Sequence, residues 1–504
     1  MPPWQHLQGT FAKVCALTKV CYRRPMSILS TVRDLDRLRQ ITQVLIRHGF
    51  GHLAAKMGLP GAKKAPARKA DAQEGEAEQR TDLGGGGVGE RLRLVLQDLG
   101  TTFVKLGQIV STRPDLIPED IVVELKKLQD EVKPFPTAEA RAVIERELGA
   151  PIEELFVSFA DAPLACASVA QVYRAELDLS RLSGSSPSTE VPEDGPKVVP
   201  VVVKVQRPGI DNTVERDIHL LHWLARLLEA TVPEARVYSP RGLVDEFETA
   251  IKAELDFDIE AQNAERFAAN FAGEEQIRFP KAYRDVSSRK VLTLEFFDGL
   301  KITDAVARGA DGPAIAEEAV RLILKMVFED GFFHADPHPG NILILPKPSP
   351  QQGEGPEQAR YAPGAEVIIG LLDLGLVGRL SPELRDKTTD LLLAAARNDP
   401  DALADALLAI GRPRRRVDRE AFRDYTRRIS EAHLGKPMAE VEAAAIFSDI
   451  VKGALKFGIE IPAELTMLFR AIMTIEGVGK EIDPNLDVLA VARPYLMKML
   501  MQRY

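Results

Sequence analysis

The sequence predicts an α+β protein of two lobes, with strands gathered in the middle of the chain and helices towards its end. Three observations support this prediction. The 504 residues are too many for one ordinary hydrophobic core, so about two or three packed units are expected. Hydrophobic residues make up 45% and charged residues 28% of the chain, which is typical of a folded globular protein. Strand-forming residues cluster between residues 169 and 297, whereas helical spacing dominates after residue 303.

Composition limits where the protein can reside. No apolar run reaches the roughly 18 residues that would span a bilayer, and lysines and arginines interrupt the first residues where a signal peptide would lie. The three cysteines, Cys15, Cys21 and Cys166, fit neither a disulfide framework nor a zinc site, so a reducing compartment is the simplest interpretation. We therefore expect a cytoplasmic protein without a transmembrane helix, either free or held on the inner face of a membrane.

Residues 1–59 are interpreted as a basic amphipathic helical leader. Residues 1–60 carry nine lysines and arginines against two aspartates, although the whole chain has a net charge of −9. Between residues 31 and 58, apolar residues recur at helical spacing with arginines between them. The leader is either a solvated helix or a surface for an anionic membrane. Its apolar stripe could also dock on the rest of the protein, and no nucleic-acid partner is expected.

The next two segments connect the leader to the strands. Residues 60–90 lack periodic apolar residues and are interpreted as a flexible linker. The linker ends in a glycine run that matches G-x-G-x-x-G by letter, but no strand precedes it and the match carries no weight. Residues 91–150 are predicted to form a helical extension, broken near Pro114 and Pro118 and ending with a helix over Thr137–Leu148.

Two lobes follow. Residues 151–300 are predicted to form a strand-rich N-lobe, with strands at 169–177, 198–206 and 290–297. The first two flank a Ser/Pro-rich segment at 180–197, which predicts a long hairpin. Residues 301–504 are predicted to form a helical C-lobe that carries the catalytic loop. Its two short apolar runs, 342–345 and 367–372, bracket a second insert at 346–364 and predict another hairpin.

The motif with the strongest chemical signal begins at His334 and reads HADPHPGN. An aspartate in a loop, an asparagine five residues later and then a short apolar strand are typical of a phosphotransferase catalytic loop. Asp336 is the candidate that accepts the proton of an attacking hydroxyl. Asn341 and Asp373, which opens the sequence DLG after the next strand, are the candidate ligands of a magnesium ion.

Upstream residues complete this pattern. Lys204 lies on the apolar strand VVVKV, where its ammonium needs a partner, and that partner would be a nucleotide phosphate together with Glu260. The loop before residue 172 contains small residues where kinases have glycines. Small residues still allow phosphate to approach the backbone, but alanine lacks the conformational freedom of glycine. The candidate phosphate-binding residues are Ala165, Cys166, Ala167 and Ser168.

Together these motifs resemble the ABC1/AarF/UbiB family of atypical kinases, also called the coenzyme Q kinase family. Residues 105–108 read KLGQ and match its K-x-G-Q motif, residues 254–256 read ELD and match its E-x-D motif, and the alanine-rich loop replaces the glycine-rich one. The resemblance covers roughly residues 31–500. It implies a two-lobed protein-kinase-like fold with an N-terminal helical extension that carries the K-x-G-Q motif, and it implies ATP and Mg²⁺ as cofactors.

The resemblance also implies roles for individual residues. Lys105 and Gln108 would lie over the active site and regulate it, with Lys105 paired to Glu254 and Asp256. The spacing of Asp256 and Glu260 agrees with a shared helix face if both lie in one helix. At the hinge between the lobes, the Glu295 carbonyl and the Phe297 N–H would contact adenine.

Three functions remain open from the sequence. The first is an atypical kinase or ATPase that binds Mg-ATP and supports isoprenoid-quinone biosynthesis or lipid handling at a membrane. Its partners would be adenine nucleotide, an anionic membrane surface, a quinone or isoprenoid lipid, and quinone-biosynthesis proteins. The second is a nucleotide-binding scaffold of the pseudokinase type. The third is a small-molecule kinase of the aminoglycoside or choline type, against which the K-x-G-Q segment argues. Ser381 and Pro382 begin a helix so soon after the DLG sequence that no activation segment for a peptide substrate fits between them.

Overall fold

The computed structural model describes residues 28–62, 87–111, 117–128, 133–182, 197–347, 361, 365–413, 416–434, 449–450, 452–454 and 456–503. The chain divides into one unit that ends at Ala72 and another that begins at Gln73. The predictions for residues 1–27, for most of the linker and for the tips of both hairpin inserts lie outside the described residues. None of the described helices is long and apolar enough to cross a membrane.

The described part of the first unit, residues 28–62, contains two helices, α1 (Ile28–Arg47) and α2 (Gly51–Lys56). Gly49 adopts a φ of +83° between them, which ends α1 and lets the chain turn into α2. The amphipathic pattern predicted a helix here, and that prediction is confirmed. Much of the apolar stripe of α1 is buried and two of its apolar residues are exposed; the buried ones are Leu38, Ile41 and Val44, and the exposed ones are Leu35 and Ile46.

The second unit opens with a three-helix layer formed by α3 (Val88–Leu99), α4 (Thr101–Ser111) and α5 (Glu119–Leu125). Gly100 has a φ of +92° and separates α3 from α4. The K-x-G-Q motif lies on α4, and its glycine is at a close approach between helices. A Cβ atom at Gly107 would overlap the side chain of Leu128 and come within 2.7 Å of Leu96. The glycine of the motif therefore allows α4 to pack closely against Leu96 and Leu128.

The N-lobe contains two helices and a sheet whose first strands are short. These elements are α6 (Thr137–Leu148), α7 (Ile152–Leu155), β1 (Ser158–Phe159), β2 (Ala165–Cys166), β3 (Ala170–Asp178) and β4 (Val198–Gln206). The predicted hairpin is confirmed, because β3 and β4 pair antiparallel along their whole length. In β4, Val201, Val203 and Val205 are fully buried. Since side chains alternate along a strand, Lys204 points to the opposite face of the sheet.

Three helices and two strands then lead to the second lobe: α8 (Ile210–Thr231), α9 (Pro240–Glu254), α10 (Phe257–Asn270), β5 (Ile277–Arg278) and β6 (Val291–Glu295). Strand β6 completes the N-lobe sheet, whose order is β1-β3-β4-β6 with β2 paired to β3. Phe267 of α10 and Phe271, which follows the helix, belong to the core of the C-lobe. The strand predicted at 290–297 is confirmed as β6.

The C-lobe is built mostly from helices around a four-stranded sheet. Its first elements are β7 (Leu300–Lys301), α11 (Ile302–Ala307), α12 (Gly312–Lys325), a π-helical turn (Met326–Asp330), β8 (Phe332–His334), a 3-10 turn (Pro339–Asn341), β9 (Ile342–Pro346), β10 (Val367–Leu371) and β11 (Val377–Arg379). The sheet order is β5-β10-β9-β7, and β8 pairs separately with β11. The predicted hairpin is confirmed, since β9 and β10 pair antiparallel.

The end of the chain is helical, as predicted. Its elements are α13 (Pro382–Ala396), α14 (Pro400–Ile410), β12 (Arg412–Pro413), α15 (Arg419–Ile429), a π-helical turn (Ser430–Leu434), β13 (Ile459–Glu460), α16 (Ala463–Ile482) and α17 (Val488–Arg503). Helix α16 packs against α12 and also contacts β11. This packing brings the C-terminal helices next to the strands that carry the candidate catalytic loop.

Candidate active site

The candidate catalytic loop begins at the end of β8 and is held by a buried histidine. His334 is fully buried, and its Nδ1 accepts a hydrogen bond of 3.1 Å from the backbone N–H of Asp336. Its Nε2 lies 3.1 Å from the carbonyl of Leu372, and it donates there because Nδ1 is the acceptor. Burial lowers the pKa of His334 below its ordinary value of 6.5. The imidazole is therefore a neutral link between the loop and the strand before Asp373.

Asn341 makes the second link. Its Nδ2 donates to the carbonyl of Asp336 over 3.2 Å, and its own carbonyl accepts a 2.8 Å hydrogen bond from the N–H of Leu372. The side chain is nearly buried, with 7% exposed. These bonds bring Asn341 next to the residue that precedes Asp373. The two predicted metal ligands are thus neighbours, although 32 residues separate them in the chain.

Asp373 has an unusual backbone conformation. Its φ is +50°, a left-handed conformation that non-glycine residues rarely adopt and that tends to occur at functional sites. Asn263 of α10 fixes the next residue, because its Nδ2 donates to the carbonyl of Leu374 over 2.9 Å. The Lys204 ammonium lies 3.3 Å from the Asp373 carboxylate and lowers its pKa. This carboxylate is therefore charged at neutral pH.

Lys204, on a strand of the N-lobe, forms ion pairs with Glu260 of α10 and with Asp373 of the C-lobe. Its Nζ lies 2.8 Å from Glu260 Oε2 and 5.3 Å from the ring centre of Phe257. Burial opposes the charge on Lys204, but the carboxylates of Asp373 and Glu260 together raise its pKa. Glu260 is only 5% exposed, and burial raises its pKa while Lys204 opposes that shift. The lysine is therefore a partly buried cation shared by two carboxylates.

The alanine-rich loop is the turn of a β-hairpin. Ala165 and Cys166 form β2, which pairs with β3, and the N–H of Ala167 donates to the carbonyl of Ala170 over 2.8 Å. Ala165 is exposed, and Cys166 and Ala167 are partly so. Ser168 is fully buried, and its hydroxyl has no hydrogen-bond partner among the described residues. The loop thus has the strand-turn-strand form expected of a segment that covers phosphates.

The predicted hinge residues lie where β6 ends. The N–H of Glu295 donates to the carbonyl of Lys281 over 2.9 Å, and its carboxylate pairs with Arg278. Phe297 is 7% exposed and packs with Leu345 and Ile368 in a small apolar cluster. The ring of Phe297 therefore has a packing role, whatever its backbone contacts.

The K-x-G-Q helix contacts the E-x-D motif through an ion pair. Lys105 Nζ lies 2.8 Å from Glu254 Oε1, and the two side chains are 14% and 33% exposed. Lys105 also contributes to lowering the pKa of Asp373, so it lies close to the site. Gln108 Nε2 donates to the backbone carbonyl of Leu128 over 3.3 Å, which ties α4 to the segment after α5.

Asp256 has a different position from the one that spacing suggested. It is the N-cap of α10: its backbone is extended, with φ −111° and ψ 91°, and its carboxylate accepts a hydrogen bond from the N–H of Asp258 over 3.2 Å. Its other oxygen lies 2.9 Å from Arg289 Nε. The expectation that Asp256 and Glu260 share a helix face is wrong, because helical spacing applies only to residues inside one helix, and α9 ends at Glu254.

Two residues of this region were missed in the sequence. One is Asn263, which holds Leu374. The other is Arg470 on α16, whose Nη2 lies 2.9 Å from Asp336 Oδ1. Neither lies in a recognisable motif. Asn263 is a buried polar residue on α10, and a polar residue on an otherwise apolar helix face would have been a usable signal.

The available donors fit a magnesium ion better than a metal with a full set of protein ligands. No group of three or more His, Cys, Asp or Glu side chains able to hold a metal was found in the described part of the chain. Asn341 and Asp373 instead bring one amide and one carboxylate side chain to neighbouring segments, which the hydrogen bond from the Leu372 N–H to the Asn341 carbonyl joins. Mg²⁺ typically takes one or two oxygens from such side chains and completes its shell with water and substrate phosphates.

These features define a class of protein: a two-lobed kinase-like chain in which a lysine–glutamate pair lies beside Asp373 and a histidine-anchored loop carries Asp336. Comparison with known families agrees. The ABC1 atypical kinase-like domain matches residues 127–407, and the UbiB helical domain matches residues 426–487. The chain therefore belongs to the ABC1/UbiB family of atypical kinases. This confirms the resemblance and the prediction of an α+β, kinase-like fold.

Bacterial relatives cover most of the chain. A protein of Xanthomonas oryzae pv. oryzae named probable protein kinase UbiB is 37% identical over 420 residues, which are 82% of this chain and 71% of the relative. A protein of the same name from Aliivibrio fischeri is 32% identical over 469 residues, 92% of this chain and 79% of the relative. A solved structure, the complex of Rv3197 with erythromycin from Mycobacterium tuberculosis, aligns with a TM-score of 0.49 and 21% identity, covering 79% of this chain and 93% of that one.

Proposed function

We propose that the protein binds Mg-ATP and either transfers its terminal phosphoryl group or hydrolyses it. The observation that carries this proposal is the position of the Lys204 ammonium, 2.8 Å from Glu260 and 3.3 Å from Asp373. A partly buried lysine shared between these two carboxylates is typical of kinases in which the lysine binds the α/β-phosphates. Membership of an atypical kinase family supports the same activity.

Each residue then has a defined role. Asp336 orients the nucleophile and accepts its proton, because its carboxylate lies on the catalytic loop. Its own backbone N–H and carbonyl are fixed by hydrogen bonds with His334 and Asn341. Lys204 contacts the phosphates of the nucleotide, and Glu260 keeps it in place. Asn341 and Asp373 hold Mg²⁺, which neutralises charge on the phosphate oxygens when bound.

The surrounding residues bind or regulate the nucleotide. The loop of Ala165, Cys166, Ala167 and Ser168 covers the phosphates, and the backbone of Glu295 and Phe297 contacts adenine. Lys105, Gln108 and Glu254 hold the K-x-G-Q helix beside the site and restrict access to it, together with Asp256. The short Lys105–Glu254 pair supports this arrangement.

The cellular role we propose is support of isoprenoid-quinone biosynthesis or lipid handling at a membrane. The family resemblance supports that context, and the basic N-terminal segment supports contact with an anionic membrane surface. In this proposal the protein is cytoplasmic and peripheral to the membrane. Its partners are a quinone or isoprenoid lipid and quinone-biosynthesis proteins.

A thermal-shift titration with ATP, with and without Mg²⁺, tests the nucleotide site. ATP should stabilise the wild-type protein more when Mg²⁺ is present. The variant Asp373→Asn should lose the Mg²⁺-dependent part of the shift, because the amide removes a charged metal ligand. Asp304→Asn changes an exposed aspartate on α11 and is the matched control.

Turnover separates catalysis from scaffolding. Release of phosphate under single-turnover conditions should be lost in Asp336→Asn, while ATP still stabilises that variant. If Asp373→Asn keeps the full Mg²⁺-dependent shift, the metal assignment is wrong. If the wild-type protein binds Mg-ATP without turnover and Asp336→Asn keeps its role in cells, the nucleotide-binding scaffold is the correct function.

A further inference from the structure

The carboxylate of Asp336 is engaged by a guanidinium from a distant helix. Arg470 Nη2 lies 2.9 Å from Asp336 Oδ1, and the two side chains are 35% and 28% exposed. The pair is partly shielded from water, so its geometry is held more firmly than that of a surface ion pair. A charge-assisted bond of this length between arginine and a carboxylate is among the stronger hydrogen bonds in proteins.

The helix that carries Arg470 is fixed relative to the catalytic loop. Leu468 and Ala471 are fully buried beside Arg470 in sequence, and α16 packs against α12 and β11. Strand β11 pairs directly with β8, where Val377 lies opposite His334. The guanidinium of Arg470 is therefore carried by a helix, α16, that is connected through β11 and β8 to the start of the candidate catalytic loop.

Asp336 is thus held at three points. Its backbone N–H donates to His334, its carbonyl accepts from Asn341, and its carboxylate is bonded to Arg470. The first two bonds fix the backbone, but the direction of the carboxylate depends on Arg470. A general base acts only when its oxygen points at the proton that it accepts.

We propose that Arg470 is a positioning residue for the reaction, which aims the Asp336 carboxylate at the attacking hydroxyl or water. This proposal rests on the proposed function and adds a role for the helical segment after the kinase-like domain. Arg470 lies within the part matched by the UbiB helical domain, and Asp336 lies within the kinase-like domain. The contact makes the two parts one catalytic unit.

The test compares steady-state ATP hydrolysis in wild type, Arg470→Gln and Arg470→Lys, with folding checked by Tm. Misplacing a catalytic group by about 1 Å can lower the rate by about 100-fold. We expect Arg470→Gln to lower kcat by about 100-fold with KM within about threefold, because nucleotide contacts are unchanged. Arg470→Lys keeps the charge without the planar fork and should recover part of the loss.

Two further measurements exclude a merely structural effect. Guanidinium at low millimolar concentration should raise kcat of Arg470→Ala, since it can occupy the vacated position. The control is Arg427→Gln, which removes an arginine of the same helical segment whose pairs with Asp401 and Asp424 are exposed. This control should keep kcat within about twofold and should not respond to guanidinium.

The outcomes are distinct. Equal kcat in Arg470→Gln and wild type overturns the positioning role and leaves the proposed function intact. A rise in kcat also overturns it, because the contact would then be an autoinhibitory latch. A fall in kcat without rescue by lysine or guanidinium assigns the loss to folding and overturns the role. Absence of any turnover in the wild-type protein overturns the proposed function, and this role with it.

Discussion

Replacement of Lys204 by methionine should destabilise the protein in a pH-dependent way. Methionine keeps an unbranched apolar side chain but removes the charge and the hydrogen bonds of the ammonium. Glu260 then keeps its buried position, with 5% of its surface exposed, but loses the ammonium 2.8 Å away. Breaking a buried ion pair by removing one partner typically costs about 3–5 kcal/mol, because the remaining charge is uncompensated. Since the Lys204 side chain is 19% exposed, we expect the lower end, about 3 kcal/mol at pH 8.

The pH dependence follows from Glu260. Burial already raises the pKa of Glu260 above its ordinary value of 4.5, and loss of Lys204 removes the group that opposes this shift. A carboxyl group with a raised pKa in the folded state contributes stability below its unfolded pKa and loses it as pH rises through the folded pKa. The cost of Lys204→Met should therefore be smaller at pH 5.5 than at pH 8, because protonation of Glu260 removes the uncompensated charge.

Urea unfolding of the nucleotide-free protein at pH 8 and pH 5.5 measures both values. The matched control is Lys387→Met, which breaks a pair with Glu383 whose side chains are 36% and 80% exposed. An exposed pair of this kind contributes at most about 0.5 kcal/mol. The double variant Lys204→Met/Glu260→Gln should regain most of the lost stability. A cost that is equal at both pH values, or no larger than that of Lys387→Met, would refute the reasoning.

Two further substitutions test local features. Gly107→Ala should lower the free energy of unfolding by about 1–2 kcal/mol, because overlap with Leu128 outweighs the gain of up to about 1 kcal/mol in helix propensity. The control is Gly477→Ala, which has no atom within 4 Å of its Cβ and should gain stability in the same urea titration. An equal gain in both variants would contradict the packing argument. Wild-type protein should lose stability as pH falls from 7 to 5, because the unfolded state protonates His334 and the folded state resists it. His334→Gln should flatten that slope by at most about 1.4 kcal/mol per pH unit, and parallel stability curves would rule the histidine out as the cause.

Local patterns in the sequence were sufficient to predict the strands of the N-lobe sheet and the position of Lys204 on one of them. Alternation along β4 buries Val203 and Val205 and leaves Lys204 on the other face. Both hairpins follow from pairs of apolar runs around polar inserts, because such runs can bury their apolar side chains only by pairing. The spacing of Asp336 and Asn341 is likewise local, and the 3-10 turn between them brings the asparagine amide to the Asp336 carbonyl.

The E-x-D segment shows where spacing alone gives the wrong geometry. A four-residue separation places two side chains on one face only if the backbone is helical throughout, and Asp256 is extended. Aspartate is a strong N-cap residue because its carboxylate satisfies the free N–H groups of the first turn. That preference was a usable signal for a helix boundary at Asp256. Glu254, the last residue of α9, pairs instead with Lys105.

Arg470 illustrates a contact that no local pattern can predict. It lies 134 residues after Asp336, and an arginine on an amphipathic helix most often faces solvent. Leu465, Leu468 and Ile475 recur at helical spacing and form a buried side of α16. Helical spacing does not specify which residue a side chain at the edge of this buried side contacts, because that depends on how α16 crosses α12 and β11. The partner of Arg470 is therefore decided by the packing of the whole C-lobe, and a change at the α12–α16 contact should alter the direction of the Asp336 carboxylate without touching either residue.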